Sequence, residues 1–125
     1  MKHSPAFQQL CETARRQIQE ITPELALARL ESGQATLIDV REDHEVSQGR
    51  IRGAHHLGRG ILERDVENQF PDKDQELILY CGGGYRSALS ALNLQTMGYT
   101  KILSLAGGWR SWNEKALPTD PGPSS

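Results

Sequence analysis

A short apolar run, Glu76-Leu77-Ile78-Leu79-Tyr80, leads directly into Cys81-Gly82-Gly83-Gly84-Tyr85-Arg86-Ser87, and a helix-like segment follows from about Ala88. A strand that ends in a glycine-rich turn and continues as a helix is a unit of an alternating α/β fold with a parallel sheet. In such sheets ligands bind at the carboxyl ends of the strands, and Cys81 falls there. Glycines let the chain curl so that successive N–H groups converge, and the helix N-terminus adds positive potential at the same point. Cys81 is therefore the candidate nucleophile, held as a thiolate.

Magnitudes show which part of this loop matters most. A helix N-terminus contributes roughly 0.3–1 kcal/mol to a nearby anion, up to ~2 in partly buried sites. That moves a thiol by about one pKa unit, too little to ionise a group that starts near ~8.5. Hydrogen bonds to a charged group contribute about 1.5–3 kcal/mol each, so two or three N–H groups from Gly82, Gly83, Gly84, Tyr85, Arg86 and Ser87 complete the shift. Arg86 adds a fixed charge and a planar fork suited to an oxyanion. The run lacks the G-x-G-x-x-G and G-K-[ST] spacings of nucleotide-phosphate loops.

The 125 residues suffice for one domain that buries about two-thirds of its unfolded surface. A net charge of −2 gives no support for binding nucleic acid or an anionic membrane. No apolar run is long enough to span a bilayer, and the N-terminus lacks the apolar core of a secretory signal. Two distant cysteines, Cys11 and Cys81, fit the reducing cytoplasm better than a disulfide scaffold. Neither C-x-x-C nor a Cys/His cluster occurs, so no metal site and no cofactor is expected.

Along the chain, Phe7 to Glu20 has helical spacing of apolar residues. Thr22-Pro23-Glu24 starts a second helix that stops at Ser32-Gly33. Thr36 to Val40 reads as a buried strand, Gly53 to Leu57 as another, and Ile61 to Phe70 as a helix. Leu77 to Tyr80 is the strand before the loop, and the helix after it runs from Arg86 to Met97. Lys101 to Leu105 is a further strand, Trp109 to Lys115 a last helix, and the Pro/Gly/Ser-rich end is predicted to be disordered. The expected organisation is an N-terminal helical extension (1–19), a core domain (20–118) and a disordered tail (119–125).

Four motifs resemble those of single-domain rhodaneses, sulfurtransferases of the thiosulfate type. Leu37-Ile38-Asp39-Val40-Arg41 with Glu45 is similar to the family's D-x-R-x-x-x-E segment, and Gly49-Arg50-Ile51-Arg52-Gly53-Ala54 to its G-H-I-x-G-A stretch. Cys81 to Arg86 matches the C-x-x-G-x-R active loop, and Gly107 to Trp112 the G-G-x-x-x-W near the C-terminus. Arg50 and Ala116 depart from the family's usual His and Gly. The resemblance implies a five-stranded parallel sheet with helices on both faces. It also implies a sulfane sulfur passed from thiosulfate or a persulfide, through a Cys81 persulfide, to a thiol, a protein or, in assay, cyanide.

Around that centre, Ser87 is read either as a donor to the sulfur or as a helix cap, and Tyr85 either as a gate for the donor or as a packing residue. Arg86 either grips the donor or supports the loop. Asp39 and Arg41 are read as a structural charge pair, His55 and His56 as surface histidines, Trp109 and Trp112 as core anchors, and Cys11 as a half-buried helix residue. Two rival functions remain. A sulfur carrier with little thiosulfate turnover is compatible with a loop that has no extra basic residues. A phosphatase or arsenate reductase of related fold needs five residues between cysteine and arginine, and here there are four.

Overall fold

The computed structural model describes residues 3–121. Five strands form one parallel sheet in the order β1 (Gln19–Ile21), β6 (Ile102–Leu105), β5 (Leu77–Tyr80), β2 (Thr36–Asp39), β4 (His55–His56). The helices are α1 (Pro5–Arg15), α2 (Pro23–Glu31), α3 (Asp43–Val46), α4 (Arg59–Gln69), α5 (Tyr85–Thr96) and α6 (Gly108–Glu114). A second, two-stranded antiparallel sheet pairs β3 (Gly49–Ile51) with β7 (Thr119–Pro121). Among the described residues no helix is long and apolar enough to cross a membrane.

Every residue of β5 and β6 is buried, which is why these strands read as unbroken apolar runs rather than alternating ones. Alternation still sorts their side chains between two layers. Leu77, Leu79 and Cys81 join Ile38, Leu62, Val66 and Leu94 on the side of α4 and α5. Ile78 and Tyr80 join Leu37, Leu103, Leu105 and Trp112 on the side of α2 and α6. The cysteine thus continues the strand's period into the layer covered by α5.

Several boundaries differ from the sequence reading. The first helix ends at Arg15, and residues expected to continue it form β1 at the sheet edge. Thr22 caps α2 with an extended backbone, ψ 155°, as the residue before a proline prefers. Upstream of it, the parallel register Gln19 to Leu103 holds β1 in place of the expected last turn of the first helix. The strand at Gly53 to Leu57 contracts to His55–His56, and the hydrophilic stretch after β2 forms α3. Part of the tail read as disordered, Thr119–Pro121, is strand, because β3 offers it a partner. Residues 122–125 lie outside the described residues.

Beneath β2 and β5 sits a buried charged network. Arg41, 2 % exposed, bonds both carboxylate oxygens of Asp39, with Nη2 at 2.7 Å, and donates a second bond to the Gly49 carbonyl at 2.8 Å. The Tyr80 hydroxyl donates to Asp39 at 2.6 Å and accepts the Ile51 N–H at 3.1 Å. Burial, reinforced by the Asp39 charge, pushes the Tyr80 phenol well above its usual range, so it stays a donor. The guanidinium lies 4.7 Å from the Trp109 ring and 5.4 Å from that of Tyr80. Asp39 and Arg41 therefore form the structural charge pair that the sequence suggested, and they fix the residue immediately before Cys81.

Removing one partner strands a buried charge, which costs about 3–5 kcal/mol. Arg41→Met should lose stability on that scale in urea denaturation, and the double variant Arg41→Met/Asp39→Asn should recover a substantial part. A single variant within ~1 kcal/mol of wild type would show that the network does not carry this load.

Candidate active site

Cys81 leaves β5 with its sulfur almost fully buried, 1 % exposed, at the floor of an open groove of about 880 Å³. The loop returns on itself through Gly84, at φ 93°, which is also the N-cap of α5. That left-handed conformation favours glycine, and a Cβ there would sit 3.2 Å from the Gly107 nitrogen. The turn brings the Gly84 N–H to 3.1 Å from the Cys81 sulfur. The thiol lies 3.5 Å from the Ser87 hydroxyl, which is itself 2.8 Å from that of Ser104.

One amide, not the two or three expected, bonds the sulfur. Among the described residues the N–H groups of Gly82, Gly83, Tyr85, Arg86 and Ser87 have no hydrogen-bond acceptor, as the first turn of a helix leaves its donors free. The carbonyls of the loop are held elsewhere. Trp109 and Arg110, in the first turn of α6, donate their N–H groups to the Cys81 and Gly82 carbonyls at 2.8 and 3.0 Å. Only glycine fits at the contact: a Cβ on Gly108, at φ 55°, would lie 2.3 Å from the Cys81 oxygen. The paired glycines of the Gly107 to Trp112 motif thus let α6 seat against the loop.

Arg86 lines the groove, but its head group is engaged. It makes a two-pronged pair with Glu45 of α3, at 2.7 and 2.9 Å, and Glu45 also accepts the Glu42 N–H at 3.0 Å. The Arg86 hydrogen bonds hold the Glu45 carboxyl at about 2, against burial that opposes ionisation. In turn Glu45 holds the Arg86 guanidinium above its ordinary value. Glu45 was visible in sequence as part of the D-x-R-x-x-x-E segment, but its partner was not.

Ser87 is buried and faces the sulfur, where its hydroxyl accepts the Cys81 thiol rather than donating to it, and the α5 N-cap is Gly84 without a side-chain cap. Tyr85 lines the groove and also packs, its ring 4.5 Å from that of His3 and 4.7 Å from the Arg15 guanidinium. His55 meets Phe70 edge-on, and His56 donates to the Arg41 carbonyl at 2.9 Å; neither lines the Cys81 groove. Trp112 is a core anchor at 1 % exposure, but Trp109 also forms groove wall. Cys11 is fully buried between α1 and α5, deeper than expected. Among the described residues no group of three or more His, Cys, Asp or Glu side chains is placed to hold a metal ion.

This arrangement can be compared with known proteins. A family model, the rhodanese-like domain, matches residues 22–115. The thiosulfate sulfurtransferase GlpE of Actinobacillus succinogenes is 33 % identical over 101 residues, which span 81 % of this chain and 89 % of that protein. The polysulfide-sulfur transferase homodimer of Wolinella succinogenes is 28 % identical, with a TM-score of 0.79 over 92 % of this chain and 87 % of that one. A Rhodopseudomonas palustris protein of unknown function, described as a possible tyrosine phosphatase, is 28 % identical with a TM-score of 0.83, covering 96 % and 98 % of the two chains. The chain belongs to the rhodanese-like family and is a rhodanese-type sulfurtransferase.

Proposed function

We propose that Cys81 carries the transferred sulfur as a persulfide. The observation that supports this best is the contrast within the loop: one N–H bonds the cysteine sulfur, and its neighbours have no acceptor. A persulfide places a second, charged sulfur one bond farther out, where free amides of the first turn of α5 can solvate it, as an oxyanion hole solvates oxygen. With thiosulfate as donor, the Cys81 thiolate attacks the outer sulfur, the S–S bond of thiosulfate breaks, and sulfite leaves with its electron pair. An acceptor then attacks the outer sulfur of Cys81–S–S⁻; cyanide leaves as thiocyanate and the thiolate is regenerated. The thiol and protein acceptors follow the same displacement.

Arg86 acts here as loop support. Both of its terminal nitrogens are engaged by Glu45, which leaves the donor's charge to the backbone amides. The same pairing weakens a phosphatase reading, which needs its arginine free for phosphate oxygens and a longer loop than the four residues between Cys81 and Arg86. A carrier role, with sulfur loaded by one protein and withdrawn by another, uses the same persulfide and differs in turnover with small donors.

Two measurements test these assignments. Incubation with thiosulfate or inorganic polysulfide should add the mass of one sulfur atom to the wild-type chain and none to Cys81→Ser; an adduct that persists in the variant would place the sulfur elsewhere. The second concerns the Glu45–Arg86 pair. Its folded carboxyl value of about 2 lies below the ordinary 4.5, so its stabilisation is complete above about pH 4.5 and is lost as pH falls toward 2. A pair this open contributes about 1 kcal/mol at most. Glu45→Gln should therefore cost about that much at pH 7, with slower sulfur loading, and the gap to wild type should close between pH 4.5 and 2. A gap that stays constant through that window would mean that the pair is not its source.

A further inference from the structure

The groove at Cys81 is much larger than transfer between small inorganic molecules requires. About 880 Å³ is the scale of sites that hold drug-sized molecules, whereas thiosulfate and cyanide are only a few atoms each. Part of its wall comes from outside the matched residues 22–115. His3, just before α1, and Phe7, in its first turn, line it together with Tyr85 and Cys81. Their rings form one cluster, with centroids 4.9 Å apart for His3 and Phe7, 4.5 Å for His3 and Tyr85, and 6.2 Å for Phe7 and Tyr85. This wall is anchored. Cys11 and Ala14 of α1, at 0 and 1 % exposure, pack with Ala88 and Leu89 of α5, and the Arg15 guanidinium lies 4.7 Å from the Tyr85 ring.

Charge gives the groove little selectivity. Arg86 is paired with Glu45, and Arg110 and Glu114 bring opposite charges to the same rim. The surface left to discriminate among substrates is the aromatic one. We propose that His3, Phe7 and Tyr85 form a subsite for the apolar organic part of a thiol acceptor, seated so that its sulfur meets the persulfide on Cys81. The step is R–S⁻ + Cys81–S–S⁻ → R–S–S⁻ + Cys81–S⁻. The S–S bond at Cys81 breaks, a new one forms on the acceptor, no proton moves, and nothing is oxidised or reduced overall. The inference rests on Cys81 carrying the persulfide, as proposed above. It makes the N-terminal helix a determinant of which acceptor is served.

The test follows discharge of sulfur-loaded protein by phenylmethanethiol and by 2-mercaptoethanol, each rate divided by that of the same thiol with a small persulfide in solution. Wild type should favour the aromatic thiol by at least about tenfold, the low end of what a filled apolar pocket discriminates. Phe7→Ala should bring the ratio toward one, and Phe7→Tyr, which keeps the ring, should retain it. Because the readout is a ratio within each variant, a general loss of folding or loading cancels. A wild-type ratio near one, or a Phe7→Ala ratio equal to wild type, overturns the subsite alone. A chain that takes up no sulfur on Cys81 overturns the persulfide reading and the subsite with it.

Discussion

Two carbonyls, those of Cys81 and Gly82, point out of the loop and accept the N–H groups of Trp109 and Arg110. With the carbonyls turned toward α6, the amides are free to face the other way. The Gly84 N–H reaches the sulfur, and those around it are left without acceptors. The contact needs glycine at both ends: Gly84 for the left-handed turn and Gly108 for the approach to the Cys81 oxygen. What distinguishes this loop is thus the direction of its peptide groups, set by a helix more than twenty residues downstream.

The rest of the structure supports that geometry from behind and from the side. The Asp39–Arg41–Tyr80 network holds the end of β5 against β2 and reaches Trp109 through the Arg41 guanidinium. It thereby ties the strand that delivers Cys81 to the helix that orients its carbonyl. On the other flank, Glu45 fixes Arg86 and, with it, the start of α5. A buried network of this kind adds little net stability over an apolar equivalent, but it penalises any arrangement that leaves a member unpaired.

Much of this was legible in the sequence, because it depends on local pattern. Leu77 to Tyr80 and Lys101 to Leu105 announce buried strands, Thr22-Pro23 announces a helix start, and the Cys81 loop announces an anion site. What escaped depends on partners distant in the chain. β1 and β7 are three residues each and exist through pairing with β6 and β3. Glu45 and Arg86 are 41 residues apart and meet because β2 and β5 are neighbours. The number of amides on the sulfur was overestimated because glycine content signals a tight turn without fixing where each N–H points. Phe7 carried only the signal of an amphipathic helix and His3 no signal at all, and their place at the groove follows from the docking of α1 on α5.

The central claim is that free amides at the start of α5 receive the outer sulfur. Amide proton and nitrogen shifts of the loop, recorded before and after sulfur loading of the same sample, test it most directly. Loading should move one or more of the Gly82, Gly83, Tyr85 and Arg86 N–H signals downfield, as new hydrogen bonds to a charged sulfur form. Those of Trp109 and Arg110, already bonded to carbonyls, should stay near their starting positions. A loaded protein whose loop amides do not move, or in which the α6 amides move instead, would contradict the account.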